Sequence, residues 1–126
     1  MSKLKQSIQK CMSKVTSTDC NCLSANFIFP NDFLGFNGHF PSNPILPGVC
    51  KIQAMVIMLE QFKMKNILVK EVVLAKFFSP VTCNEQITFN LKESIEPSGQ
   101  VMAKAIITGL ERKVAELHLR TSVIDK

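Results

Sequence analysis

The chain has 126 residues, 46% hydrophobic and 20% charged, which is typical of a folded protein with one hydrophobic core and excludes a disordered chain. Its formal net charge is +5, but only Arg112 and Arg120 of its 15 basic residues are arginine, and there is no tyrosine or tryptophan. Nucleic-acid readers usually carry clustered arginines and stacking aromatic side chains, so we expect no nucleic-acid partner. A moderately basic surface would still attract an acidic protein partner.

The N-terminal residues contain early lysines but no apolar run behind them, so no secretory signal is predicted. The longest apolar stretch, residues 49–59, is interrupted by Lys51 and Gln53 and is too short to span a bilayer. We therefore predict a cytoplasmic protein without a membrane span.

The cysteines are odd in number and irregularly spaced, which favours free thiols in a reducing compartment. Cys20 and Cys22 form the only close pair, and neither His39 nor His118 stands at the spacing of a zinc site. No metal and no other cofactor is expected.

The chain begins with a predicted helix and strand. Over residues 1–18, apolar side chains recur at intervals of three and four, which predicts a short amphipathic helix that ends near Met12 and runs into a strand. A turn at residues 19–21 and an alternating strand over residues 22–29 follow.

Residues 30–48 are dense in Pro, Gly and Asn and form a predicted loop. Each proline fixes its own φ and restricts the residue before it, so four of them make the loop stiff. A loop stiffened in this way is expected to position something.

Residues 49–65 lack Gly and Pro and are apolar nearly all round, which predicts a buried central helix. Strands are predicted at residues 67–78, 86–92, 101–110 and 114–124, and their short connections make them antiparallel. The prediction is a single α+β domain over residues 1–126, with an antiparallel sheet of five or six strands wrapped around one helix. Because a sheet covers only one side of the helix, we expect a second copy to cover the other in a two-fold homodimer.

Two features of the stiff loop point to chemistry. His39 has a side chain whose ordinary pKa allows base catalysis near neutral pH. A free N–H at the start of the helix, at Gly48, is a ready donor to a carbonyl that gains negative charge. A base and a donor are the two parts needed to remove a proton α to a thioester carbonyl, although a loop histidine with a purely structural hydrogen bond is the alternative.

The same residues resemble the signature of the (3R)-hydroxyacyl-[acyl-carrier-protein] dehydratases of the hot-dog fold. The resemblance covers about residues 22–124 and rests on three segments: Phe36-Asn37-Gly38-His39-Phe40-Pro41, Pro44-Ile45-Leu46-Pro47-Gly48-Val49 and Ile52-Gln53-Ala54-Met55. It implies a hot-dog fold, dehydration of an acyl thioester carried by acyl carrier protein or coenzyme A, and a homodimer with the active site at the subunit interface.

The resemblance also implies a role for each matching residue. His39 would take the α-proton, and the Gly48 N–H would polarise the thioester carbonyl. Phe40 and Pro41 would shape the loop beside the histidine, and Val49 would start the helix. Phe40, Pro47, Gly48 and Val49 would bind the substrate. The second catalytic residue of the family is a carboxylate that reaches the histidine of the other subunit, and Gln53 occupies its position here.

Gln53 departs from the family pattern where the chemistry is most sensitive, because an amide cannot donate a proton as a carboxylic acid does. Three interpretations follow: a dehydratase in which His39 both takes and returns the proton, an acyl-thioester hydrolase of the same fold, and a binding protein without catalysis. Gln53 could also be structural and satisfy loop carbonyls across the dimer. Glu60 lies two turns along the helix, too far to be an obvious replacement acid.

Overall fold

The computed structural model describes residues 3–19, 21–36 and 45–124. Within them the chain forms two α-helices, one short 3-10 helix at Leu34–Phe36 and six β-strands. The helices and strands, in chain order, are α1 (Lys3–Lys10), β1 (Thr16–Asp19), β2 (Cys22–Ile28), α2 (Gly48–Lys63), β3 (Asn66–Phe77), β4 (Gln86–Ile95), β5 (Val101–Gly109) and β6 (Arg112–Ile124).

The six strands form one antiparallel sheet in the order β1-β2-β4-β5-β6-β3. Strands β4, β5 and β6 follow one another as a meander, whereas β3 pairs with the far side of β6 and becomes an edge of the sheet. The predicted architecture, an antiparallel sheet of five or six strands with one long helix, is confirmed.

The core lies between α2 and one face of the sheet. Alternate residues of β2 are buried, as a strand with one buried face requires. Ala54, Met55 and Met58 of α2 are completely buried in the same hydrophobic cluster as Phe27 and Phe89, whose ring centroids are 4.8 Å apart. The interior is therefore an aliphatic and phenylalanine core without tyrosine or tryptophan hydroxyl or N–H groups to satisfy.

The helix α2 begins at Gly48, one residue before the predicted start, and ends at Lys63, two residues before the predicted end. It ends early because Met64 adopts a left-handed conformation with φ of 55°. Strand β3 then starts at Asn66. The predicted all-round burial of α2 is only partly right, since Val49 is 58% exposed and Phe62 is 44% exposed.

The two edges of the sheet differ in chemistry. Strand β1 is short, polar and exposed throughout. Strand β3 is long, and it exposes large apolar side chains on an edge with no strand beyond it among the described residues: Leu68, Val72, Val73 and Phe77. An exposed apolar edge of this length is a surface that proteins normally cover.

Candidate active site

The predicted site residues fall into two groups. His39 and Phe40 belong to residues 37–44, which lie outside the described residues, so their predicted roles stay predictions. Pro47, Gly48 and Val49 form the junction between the loop and α2, and Gln53 lies just beyond it. The site can therefore be built from the helix side.

The chain enters α2 along a fixed path. Leu46 donates its N–H to the Val81 carbonyl at 2.8 Å, and Ile45 forms an isolated bridge with Thr82. Pro47 follows in an extended conformation with φ of −63° and ψ of 149°, which suits the residue before a helix. Because the adjacent residues Val81 and Thr82 hold this path, the first N–H groups of α2 point in a defined direction.

Gly48 combines a free donor with a close contact. No acceptor for its N–H exists among the described residues, and Pro47 provides no side-chain cap. A Cβ atom at this position would stand 2.9 Å from Cζ of Phe77, closer than real Cβ contacts allow. Glycine therefore lets the Phe77 ring of β3 lie directly against the helix start, and a larger residue would have to displace that ring.

A cleft of about 440 Å³ opens beside Gly48. It lies where the loop, the first turn of α2 and the end of β3 meet, and its lining is mostly apolar. The residues that line it are Ile45, Leu46, Pro47, Gly48, Lys51, Phe77, Phe78, Ser79 and Pro80. A cleft with apolar walls and a few polar groups fits an organic ligand with one polar end.

Lys51 is not among the site residues that the sequence predicts. Its side chain is almost fully buried, and Nζ donates a hydrogen bond to the Leu46 carbonyl at 3.3 Å and lies 5.1 Å from the centre of the Phe77 ring. Burial lowers the pKa of Lys51 below its ordinary value, and the buried Cys50 beside it opposes this shift only when its thiol is ionised. The signal in the sequence is a lysine within the first two turns of an otherwise apolar helix.

Gln53 lies on a different side of α2. At about 100° per residue it stands about 140° around the helix from Gly48 but only about 40° from Val49. Its side chain is partly buried and makes no hydrogen bond within the described part of the chain. The amide is therefore available to a group outside these residues, and nothing in the described residues shows it satisfying loop carbonyls.

Glu60 is not available as a replacement acid. Its carboxylate pairs with Nζ of Lys5 at 2.6 Å and accepts the Ile67 N–H at 2.9 Å. These contacts tie α1 and the start of β3 to α2, so the role of Glu60 is structural.

The structure also bears on His118, on possible metal ligands and on membrane spans. His118 pairs with Glu116 at 2.8 Å on β6. No three His, Cys, Asp or Glu side chains of the described residues lie close enough together to hold a metal ion. No helix within residues 3–19, 21–36 and 45–124 is long and apolar enough to cross a bilayer.

Comparison with known proteins identifies relatives of both the sequence and the fold. The family model described as ApeI-like, ApeI dehydratase, matches residues 14–107. The 3-hydroxyacyl-[acyl-carrier-protein] dehydratase FabZ of Sulfurovum sp. strain NBC37-1 is 33% identical over 107 residues, which cover 72% of this chain and 70% of that protein. The FabZ of Fusobacterium nucleatum is 37% identical over 62 residues, covering 45% of this chain and 44% of the relative.

Solved structures agree on the fold. The dehydratase heterocomplex ApeI:P from Xenorhabdus doucetiae has a TM-score of 0.69 at 15% identity, over 87% of this chain and 95% of that one. A hypothetical thioesterase with coenzyme A from Streptococcus pneumoniae has a TM-score of 0.71 at 8% identity, over 98% and 95%. Such low identities show the fold alone, whereas the sequence match extends over most of the chain. The chain therefore has the hot-dog fold and belongs to the ApeI-like dehydratase family.

Proposed function

We propose that this protein is a dehydratase that removes water from a 3-hydroxyacyl thioester to give a trans-2-enoyl thioester. The observation that carries the proposal is the uncovered Gly48 N–H at the mouth of an apolar cleft. Membership of a dehydratase family and the likeness to FabZ proteins support the same reaction. We include in the proposal that residues 1–126 form one domain and that the protein works in the cytoplasm.

The reaction needs a base, a carbonyl donor and a proton for the leaving group. His39 would remove the α-proton while the thioester carbonyl accepts a hydrogen bond from the Gly48 N–H and becomes an enolate. The enolate then collapses, the C–O bond at carbon 3 breaks, and the hydroxide leaves as water with the proton that His39 returns. Gln53 would hold the hydroxyl by hydrogen bonds, since an amide cannot supply the proton.

The substrate would bind with its thioester at Gly48 and its acyl chain along apolar side chains. We propose an acyl chain carried by acyl carrier protein, with a coenzyme A thioester as the other carrier to be tested. Phe40 and Pro47 would shape the entrance, and Val49 would stand next to the thioester. The formal charge of +5 favours an acidic carrier protein over a basic one.

We further propose that the active site is completed in a two-fold homodimer. The free edge of β3 exposes Leu68 and Val72, and Val49 and Gln53 face the uncovered side of α2. Pairing of two β3 edges would extend the sheet and bury these apolar side chains. His39 of one subunit would then meet Gln53 of the other.

The test is turnover of 3-hydroxyacyl thioesters on both carriers, followed by chromatographic detection of the trans-2-enoyl product. We expect product from the wild-type protein and a loss of about 10²–10⁴ in rate for His39→Ala, the usual contribution of a general base. Release of free thiol in place of enoyl product would replace the dehydratase by a thioester hydrolase. Binding of acyl carrier protein without either product would mean that the chain only binds.

A further inference from the structure

Lys51 is the one charged side chain of the described residues that is almost completely buried, with 3% of its surface exposed. It stands three residues after Gly48, about 60° around the helix, and lines the same cleft. Helical side chains lean toward the N-terminus, and Nζ accordingly reaches back to the Leu46 carbonyl, two residues before Gly48. The ammonium and the free N–H therefore lie at one end of the helix.

The charge of Lys51 is not compensated by the protein around it. No carboxylate of the described residues lies within ion-pair distance, and residues 37–44 contain no Asp or Glu. The ammonium has three donors, of which the neutral Leu46 carbonyl takes one. The first turn of α2 also contains no acidic residue, so the lysine adds positive charge to the positive end of the helix dipole.

Such an arrangement opposes folding, because a buried charge needs a partner. Resting on the proposed function, we propose that Lys51 is a second catalytic donor, which together with the Gly48 N–H stabilises the thioester carbonyl oxygen as it becomes an enolate oxygen. The ligand class is an acyl thioester. The negatively charged partner that Lys51 lacks in the free protein is then the enolate oxygen that forms during the reaction.

The walls of the cleft favour a developing charge over a permanent one. Phe77, Phe78 and Pro80 are apolar, and the aromatic ring beside Nζ offers no hydrogen-bond acceptor of its own. A phosphate group would have to leave water before it reached a single buried ammonium, which is costly. A thioester carbonyl is neutral when it enters, and its negative charge forms next to donors already in place, where a low dielectric strengthens the attraction.

This role also fits the glutamine at position 53. Without a carboxylic acid to assist the leaving hydroxyl, the enolate must persist until His39 returns its proton. A full positive charge near the enolate oxygen stabilises that species more strongly than a backbone N–H alone.

The first experiment compares Lys51→Met with Lys63→Met in steady-state dehydration. Methionine keeps an unbranched stem but removes the charge. Lys63 is a matched control on the same helix: it does not line the cleft, and its Nζ pairs with Glu93 at 2.8 Å. We expect Lys51→Met to lower kcat about 10²-fold, the usual contribution of one oxyanion donor, with KM within about twofold. Lys63→Met should change neither, and a Lys51→Met kcat equal to wild type would overturn the proposal.

The second experiment measures the carbonyl stretch of an isotope-labelled, unreactive acyl thioester bound to each protein. Donors that polarise the carbonyl lower its stretching frequency, so part of this lowering should vanish in Lys51→Met and persist in Lys63→Met. An unchanged frequency in Lys51→Met would show that Lys51 only holds the Leu46 carbonyl. If inorganic phosphate displaced the thioester analogue and abolished the lowering of its carbonyl frequency, Lys51 would belong to a phosphate site. This result would also overturn the proposal.

A third measurement needs no variant and covers the case in which Lys51→Met fails to fold. A buried ammonium exchanges its protons slowly, so nitrogen NMR of lysine side chains should show one protected signal in the wild-type protein. That signal should shift when the thioester analogue is added, and no shift would contradict the proposal. If the wild-type protein binds the analogue with a Lys51-dependent carbonyl shift but produces no enoyl product, the dehydratase function fails and the carbonyl contact stands.

Discussion

The two sides of helix α2 present the substrate with different surfaces. On one side Gly48 and Lys51 lie against the end of β3, in a cleft whose walls the chain itself provides. On the other side Val49 is more than half exposed, and Gln53 has no hydrogen-bond partner among the described residues. The groups proposed to polarise the carbonyl thus lie together within one chain, whereas the proposed partner of Gln53, His39 of a second subunit, would come from outside it.

In the proposed mechanism, this difference divides one active site between two surfaces. A sheet that wraps a helix covers only one side of it, so groups on that side are fixed when the chain folds. Groups on the uncovered side become fixed only when another protein surface, such as a second subunit, packs against them. The carbonyl half of the site should therefore depend on packing inside the chain, and the leaving-group half on assembly.

The largest expected effect comes from separating the subunits. Val72→Lys places a charge on the exposed edge of β3, where two-fold pairing would bring two such lysines together. We expect monomers by sedimentation and a loss of dehydration of at least about 10²-fold, since His39 of one subunit would be separated from Gln53 of the other. Ser17→Lys on β1, the opposite edge of the sheet, is the control. A monomeric Val72→Lys protein with full activity would contradict a shared site.

The next largest effect is expected for Gly48→Ala, which tests the side of α2 that lies against the end of β3. The added methyl group would meet Phe77, whose half-exposed ring can move aside, so we expect the melting temperature to change little. It would also stand beside the free N–H, and we expect kcat/KM to fall by about 10–100-fold, up to the usual worth of one oxyanion donor. Gly109→Ala, where the nearest atom is the flexible Arg112 side chain, is the matched control and should keep its activity.

Gln53→Glu tests the uncovered side in the opposite direction. If Gln53 merely replaces a lost acid, restoring the carboxyl group should raise the dehydration rate about tenfold or more. Gln53→Met, which has a similar length but no polar end, should not raise it. No gain from glutamate would show that the site uses the amide as it stands.

The smallest effect concerns stability and pH. Burial lowers the pKa of Lys51 from 10.5, so between the lowered pKa and 10.5 the unfolded chain binds more protons than the folded chain. The cost of burying the charge is therefore full below the lowered pKa and disappears as pH rises toward 10.5. We expect Lys51→Met to unfold at a higher temperature than wild type at pH 7, with a free energy of unfolding larger by on the order of 1 kcal/mol. The difference in unfolding temperature between the two proteins should narrow as the pH rises toward 10.5.

The control for this experiment is Lys63→Met, which removes a partly exposed lysine that pairs with Glu93, so we expect no gain in stability from it at pH 7. Thermal unfolding of all three proteins across the same buffers measures it. A constant difference between Lys51→Met and wild type would mean that Lys51 is not desolvated in solution.

Several predictions from the sequence depend on neighbours along the chain, and those were accurate. Alternation over Cys22–Ile28 and the absence of Gly and Pro from residues 49–63 indicated the type of each element, since both patterns reflect local backbone geometry. The end of α2 was missed by two residues because Met64, which carries no turn signal, takes a left-handed conformation. The roles of His39 and Phe40 stay predictions.

By itself, the sequence determined the order of helix and strands, the stiff entry to a helix at Pro47 and Gly48, and the family. Only the tertiary structure decided that β3 pairs beyond β6 at an edge, that Phe77 packs on Gly48 and Lys51, and that Glu60 is held by Lys5 and Ile67. These contacts join residues that are far apart in the sequence, most of them by tens of positions. Periodicity records which face of an element is apolar but not which distant segment covers it, so the burial of one lysine could be known only from the folded chain.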